Sequence, residues 1–548
     1  MILMAGAIGQ AAGAPTTLDR TIVGTGEPKT LAFGPGDERV TRSLDWEETA
    51  GKGRPLAGFK QVSDVHVVDE ESPGRVEYLD VCGSEFRSAY RVQEAASTQV
   101  GNSMLKRLNK IKVGPATGVP LDFVVSTGDN VDNNQRNETR WFINLLDGER
   151  VNPNSGGPSY DGYTQEQFSE ALPDADLERA QEPFDAVGTK APWYAVLGNH
   201  DGLVQGNAPA TAGFEAIVTG ATKAFAPVEG FEDCPDGTDT GGVTLVVLRA
   251  LADFGRQVPD DERRHFLSKR QLIMEYFDTT GKPKGHGLAA APKVDGERQG
   301  YYSFEIAPKV VGISLDTIAH EGGGSNGHVP HTQFKWLQRQ LKKNSRHFFV
   351  DGERRLNRSG KDRLIVLFSH HSSLSLNNPP SSGLDTPYHC FRTTDAPNCA
   401  LGGDGLDDLI KRFPNVVAWV NGHEHNNAVR PYPAGPEPKD KGRGFWEINT
   451  ASHIDWPQQS RLIELAWKPG QGASDTLFIY GTAVDHAAPP VVPDPSAVPV
   501  EDYLAALSRI EAFHDACERT GQADCEANGN PEDRNVKLVM RAPFNLGK

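Results

Sequence analysis

The chain has 548 residues, too many for one small hydrophobic core, so a compact single module is excluded. Lys plus Arg number 56 and Asp plus Glu 73, a net charge of −17, which argues against sequence-independent binding to nucleic-acid phosphates and predicts no nucleic-acid-binding domain. With 37% hydrophobic residues, 57 Gly and 38 Pro, the composition is that of a loop-rich globular protein, neither a fibre nor a helical bundle. An anionic substrate would be repelled by this acidic shell unless bound metal ions supplied local positive charge.

Residues 1–14 (MILMAGAIGQAAGA) are small and apolar, and Ala12-Gly13-Ala14 has the form of a signal-peptidase site, but no Lys or Arg precedes it. They read as the remnant of a signal whose basic start lies upstream, placing the protein outside the cell or at its surface; the alternative is an Ala/Gly-rich terminus of a cytoplasmic protein. No stretch reaches the roughly eighteen apolar residues of a membrane span, so no transmembrane segment is expected. Residues 15–57 form an N-terminal extension.

From 58 onward a short apolar run that stops abruptly at polar residues recurs: 59–62 before Ser63-Asp64-Val65-His66, 123–125 before Ser126-Thr127-Gly128-Asp129-Asn130, and 194–197 before Gly198-Asn199-His200-Asp201. Two more follow, 364–368 before Ser369-His370-His371 and 416–420 before Asn421-Gly422-His423-Glu424-His425. Such runs are buried strands, and polar residues at their carboxyl ends sit where α/β folds place active sites. Helical patterns lie between them at 88–111, 138–146 and 331–343. Further strand candidates at 301–306, 310–315, 444–448, 462–467 and 476–480 supply a second sheet facing the first, giving a layered α/β sandwich. An insertion at about 202–300 is too long for a simple crossover and is expected to form a cap beside the site. The main domain ends near 485, and 486–548 reads as a Pro-rich linker, a helix from 501 to about 517, and a polar tail.

Six cysteines fit an oxidising compartment, with Cys390 and Cys399, and Cys517 and Cys525, close in sequence and Cys82 and Cys234 left over; six free thiols is the alternative. No C-x-x-C occurs, which disfavours a zinc ribbon or a thioredoxin-type site. Each chemical motif is weak alone, but their order is specific. Asp64, His66, Asp129, Asn199, His370, His423 and His425 offer carboxylate, amide and imidazole donors, a set suited to Mn, Fe or Zn rather than Ca. Seven donors exceed one tetrahedral site and a carboxylate can bridge, so two ions roughly 3.5–4 Å apart are expected. Ser369 lacks the G-x-S-x-G context of a serine hydrolase, and Gly322-Gly323-Gly324 reads as a flexible turn rather than a phosphate loop.

The order D-x-H, G-D, G-N-H-D, H, G-H-x-H resembles the calcineurin-like metallophosphoesterase superfamily over Gly58 to Val484. The stretches TGDNVDNNQRNE (127–138) and INTASHIDWP (448–457) are similar to a secreted bacterial branch of largely unassigned substrate. The resemblance implies a four-layer α/β/β/α sandwich with a large cap-like insertion. It implies a first metal ion, held by Asp64, His66 and His425, and a second, held by Asn199, His370 and His423, with Asp129 bridging. It further implies that His200 meets the scissile phosphate as general acid or transition-state stabiliser, that Asp201 orients the His200 ring, and that a metal-bridging hydroxide attacks phosphorus in line. The reading is thus a dinuclear phosphatase acting on a small phosphoester. The alternatives are a phosphodiesterase acting on glycerophosphodiesters, lipid head groups or cyclic nucleotides, and a non-catalytic, metal-stabilised surface-binding protein. Oligomeric state is left open.

The chain departs from the pattern it resembles in two places. Purple acid phosphatases carry a Tyr where this chain has Asp132, and lack the D-x-H histidine, so an iron–tyrosinate colour is not expected. Asn133 stands where an Arg is common, which leaves a phosphate-binding Arg to be supplied by Arg136 or Arg140. His371 is open between a structural and a site-supporting role. Asn130 reads as a helix cap, with a hydrogen bond to metal-bound water as the alternative, and His453 and Asp455 as packed loop residues or pocket lining.

Overall fold

The computed structural model describes residues 14–547 except 26–29, 45, 48, 84–85, 87, 164–173, 228–230, 236–239, 323, 351, 377–405, 435–443, 471–473 and 521–528. Thirteen strands build its two principal sheets. In chain order they are β1 (Val40–Leu44), β2 (Arg54–Val62), β3 (Val124–Thr127), β4 (Trp193–Val196), β5 (Tyr302–Ala307), β6 (Val310–Ser314) and β7 (Leu364–Phe368). There follow β8 (Val416–Asn421), β9 (Ala428–Tyr432), β10 (Phe445–Asn449), β11 (Gln459–Lys468), β12 (Thr476–Asp485) and β13 (Val536–Arg541). One sheet has the order β1-β13-β12-β11-β2-β3-β4 and the other β5-β6-β7-β8-β10-β9.

Within the first sheet β2, β3 and β4 run parallel, and within the second β6, β7, β8 and β10 do. Parallel central strands are covered on both faces, which is why they read as unbroken apolar runs instead of alternating ones. In β7 the side chains still divide by twos. Leu364, Val366 and Phe368 join the core between the sheets, where Phe59, Phe123, Val125, Val420 and Ile479 meet them. Ile365 and Leu367 face the other way, towards helices α3 (His331–Lys343) and α4 (Leu406–Lys411) through Phe334, Leu337, Leu409 and Ile410. On the far side α1 (Ser97–Lys110) and α2 (Arg136–Asp147) cover the seven-stranded sheet with Met104, Leu108, Phe142 and Leu145. The result is an α/β/β/α sandwich, and each fully buried side chain of this size contributes roughly 1.5–3 kcal/mol.

The insertion carries short helices at Ala212–Val218, Thr240–Phe254 and Lys269–Glu275. Phe214, Val218, Val246 and Val247 pack on Tyr78, Leu79 and Phe86, and a disulfide joins Cys82 to Cys234 with a Cα–Cα distance of 5.2 Å. The pairings considered for Cys390 with Cys399 and Cys517 with Cys525 lie outside the described residues. Among those residues no helix is long and apolar enough to cross a membrane.

The reading of the C-terminus as a polar tail needs correction. After α5 (Val500–Thr520), the chain returns as β13, antiparallel to β12 and parallel to β1, so strands from both ends of the chain sit side by side at the sheet edge. Its alternation is short and flanked by polar residues, and only the pairing reveals it: Leu538 enters the inter-sheet core while Val539 faces Phe478 and Tyr480. Leu538→Asp, which places an unpaired carboxylate between the sheets, is expected to destabilise the fold by more than about 3 kcal/mol. Urea unfolding checks this, and a variant as stable as the parent would show the strand to be dispensable.

Candidate metal centre

The site forms where the carboxyl ends of β2, β3 and β4 meet those of β7 and β8. After β2, β3 and β8 the backbone turns sharply at the polar motif. Asp64, His66, Asp129, His423 and His425 have φ of 49°, 45°, 46°, 73° and 53°, the left-handed region that non-glycine residues rarely enter. Holding five such residues costs on the order of 1 kcal/mol or more apiece, and cross-strand hydrogen bonds hold them in place. Asp64 N–H donates to the Gly128 carbonyl and His66 N–H to that of Asp129, both at 3.0 Å, and Gly422 N–H donates to the His370 carbonyl at 3.0 Å. Two glycines are required by close approach. A Cβ on Gly198 would lie 2.2 Å from Asp129 Oδ1, and one on Gly422 2.4 Å from Asp64 Oδ2.

The side chains converge. His66 Nε2 lies 3.3 Å from His425 Nε2, and His425 Nε2 lies 3.3 Å from Asp64 Oδ1. His370 Nε2 is 3.1 Å from His423 Nδ1. Asp129 stands between these groups, its Oδ2 3.0 Å from His370 Nε2 and 3.7 Å from His66 Nε2. The ligand atoms of Asp64, His66 and His425 all fall within 4.8 Å of one another, as do those of Asp64, Asp129 and His370, which fits them to hold metal ions. Asn199 is buried, its amide Nδ2 donates to the Gly206 carbonyl at 3.1 Å, and its Oδ1 has no partner. A buried amide oxygen left without a partner costs about 1–3 kcal/mol, a cost that a cation would remove.

Electrostatics follow from burial and mutual proximity. Burial alone would raise the Asp129 carboxyl, but His370 and His200 more than offset it and hold it well below the usual range. Burial would likewise raise Asp64, and His425 brings it below its ordinary value. His370 is pushed down by burial, yet Asp129 and Asp64 bring it up to about 9; His425, with Asp64 and Asp455 beside it, reaches about 10. The other rings are kept neutral. Burial and then His200 take His66 well below its ordinary value, and burial with Arg91 nearby takes His200 to about 4. His423 falls to about 4 through burial and the neighbouring His370.

Several expectations change. Asp201 does not orient the His200 ring. Its carboxylate accepts from Gly198 N–H at 2.7 Å and from Asn130 Nδ2 at 3.1 Å, which ties the ends of β3 and β4 together, whereas His200 Nδ1 donates to the Asp132 carbonyl at 2.5 Å. Asn130 accordingly braces the strand ends rather than capping a helix. Arg136 and Arg140 both turn outward on α2 to Glu275, at 2.9 and 3.5 Å, and so do not take the place of the missing Arg. His371 uses both ring nitrogens, Nδ1 on Thr317 Oγ1 and Nε2 on the Ser325 carbonyl, each at 2.8 Å, a structural role. His453 is packed against Ser460 Oγ at 2.8 Å, while Asp455 reaches the site through His425 Nδ1 at 2.6 Å. Sequence reasoning missed Asp132, whose Oδ1 lies 2.9 Å from His66 Nδ1, and the buried Arg75 and Arg91. Asp132 stands three residues after Asp129, on the same turn, and that spacing was its available signal.

The calcineurin-like phosphoesterase family matches residues 59–427, and the chain belongs to that family. It is therefore a phosphoric ester hydrolase, which sets aside the reading as a non-catalytic binding protein. A solved structure titled "Structure of PhoD" aligns with 90% of this chain and 83% of that chain, at 12% identity and a TM-score of 0.30. No curated protein matches the sequence.

With His370 and His425 brought up to about 9 and about 10, both rings carry a proton at neutral pH, and a metal ion bound through them would have to displace those protons. Affinity for a divalent ion is thus expected to rise with pH towards that range and to fall as pH drops. Calorimetry in buffers of different ionisation enthalpy should show about two protons released per protein at pH 7. No release would contradict this assignment of charge.

Proposed function

We propose that the chain hydrolyses phosphoesters at a two-ion centre. The observation that carries this reading is the position of Asp129 Oδ2 between His370 and His66, where one carboxylate oxygen faces donor groups from both sheets. Asp64, His66 and His425 would hold one ion, Asn199, His370 and His423 the other, and Asp129 would serve both. The donor set of imidazole, carboxylate and amide oxygen suits Mn, Fe or Zn. Bound ions of this kind lower the pKa of water, orient the phosphoryl oxygens and neutralise the charge that builds up in an in-line displacement.

The protein's own groups do the rest. His200 is fixed through Nδ1–H, so Nε2 is the nitrogen left to meet the phosphoester; in the neutral ring it is an acceptor, and it would pass a proton to the departing oxygen only after taking one up itself. Asp201 supports this indirectly by holding Gly198 and Asn130, and with them the turn on which His200 sits. We read the insertion, whose Gly206 carbonyl accepts from Asn199 at 3.1 Å, as a cap beside the site. An extracellular or cell-surface location is supported by the disulfide between Cys82 and Cys234.

A second reading, a phosphodiesterase, draws on one observation. Arg136 and Arg140 are committed to Glu275, so neither is placed to meet the extra charge of a monoester. The test uses the wild type with Asp129→Ala and His423→Ala, assayed on p-nitrophenyl phosphate and bis-p-nitrophenyl phosphate. Both variants are expected to lose metal and to fall on the order of a thousandfold in kcat, and the preferred ester decides between phosphatase and diesterase. Full activity with full metal content in either variant would overturn the two-ion reading.

A further inference from the structure

Five side chains close a ring around one half of the site. His66 Nδ1 lies 2.9 Å from Asp132 Oδ1, and His425 Nδ1 lies 2.6 Å from Asp455 Oδ2. Arg91 stands between the two carboxylates: its Nε pairs with Asp455 Oδ1 at 2.8 Å and its Nη1 lies 3.7 Å from Asp132 Oδ1. The two Nε2 atoms, 3.3 Å apart, complete the circuit and point at each other across the space beside Asp64. Arg75, also buried, holds the other oxygen of Asp132 and pairs with Glu94 at 2.6 Å.

The other half of the site is built differently. His370 Nδ1 meets a backbone carbonyl, that of Thr127 at 2.9 Å, and His423 turns its Nδ1 towards His370. Carboxylate support on the far nitrogen is thus given to His66 and His425 and not to His370. Such a carboxylate fixes the tautomer and strengthens the ring as a ligand, and its loss costs typically 10–100-fold in metal affinity. Asp455 belongs to a loop and its side chain is 26% exposed, whereas Asp132 is buried with Arg75 on it. Arg91 is therefore the group that keeps the more exposed of the two carboxylates facing its histidine.

We propose that Arg91 is a positioning residue that makes the two metal positions unequal. By holding Asp455 on His425, beside the Asp132 that Arg75 holds on His66, it keeps the pair of rings with Nε2 directed inward. The position at Asp64, His66 and His425 then binds its ion more tightly, while the one at Asn199, His370 and His423 exchanges. This rests on the two-ion reading. Arg91 Nη1 also donates to the Ser88 carbonyl at 3.3 Å, so a purely structural role, tethering the chain ahead of α1, is the competing account.

The full chain, stripped with chelator and titrated with Mn²⁺ in a calorimeter, separates them. The wild type is expected to bind in two steps of different affinity. Arg91→Leu and Asp455→Asn should weaken the tighter step by about 10–100-fold and change the weaker one by less than about twofold, with Arg91→Lys intermediate. A structural tether would instead lower the melting temperature of the stripped protein with both steps unchanged or equally weakened, and that result overturns the proposal. If Arg91→Leu does not fold, Asp455→Asn, on its partly exposed loop, decides alone. Two equal steps in the wild type would also overturn the inequality. Absence of Mn²⁺ binding by the wild type would overturn the two-ion reading and the proposal together, whereas two steps unaltered in every variant would overturn the proposal alone.

Discussion

The carboxylate of Asp129 sits at the seam where the parallel strands of two sheets present their carboxyl ends to each other, and the rest of the site is arranged around it. It ends β3 in a left-handed turn and receives the backbone N–H of His200 at 2.9 Å from the end of β4. Its other oxygen faces His370, from the end of β7, and His66, from the end of β2. Four strands from two sheets thus meet on a single side chain. None of these groups could be moved by much without breaking the packing of Phe59, Phe123 and Phe368 beneath them.

That arrangement is costly to build. Five residues in the left-handed region, a buried cluster of carboxylates and imidazoles, and an amide oxygen of Asn199 without a partner all oppose folding of the metal-free chain. What offsets them is the sandwich, with one core between the sheets and one under each helical layer. Strain and unpaired polarity concentrated at one end of a well-packed scaffold are the signature of a ligand site, and the carboxylate and imidazole clusters there could hold a cation. The acidic net charge of −17 is consistent with this, since positive charge for an anionic substrate would then have to come from bound cations.

Much of this was legible in the sequence because buried parallel strands are short apolar runs whose ends are marked by glycine and by ligand-type residues. The five ends carrying Asp64, Asp129, Asn199, His370 and His423 needed no contact map. What was not legible depends on pairing across long separations. Arg91 looks like any surface arginine until Asp455 and Asp132 are seen on either side of it. The disulfide joins cysteines 152 residues apart, and β13 is recognisable only from its partners β12 and β1. The role given to Asp201 failed for a related reason. Adjacency to His200 in sequence suggested contact with its ring, but on the short helical turn at Asn199–Gly202 the carboxylate faces back to Gly198 and the ring faces Asp132.

The most direct measurement of the central claim is anomalous diffraction from crystals of protein purified without chelators, with data collected at the Mn, Fe and Zn absorption edges. The account predicts two peaks, one on each side of the Asp129 carboxylate. One should lie against Asp64, His66 and His425, the other against His370, His423 and the Asn199 amide oxygen. A single peak, or none after growth and soaking in these metals, would contradict it.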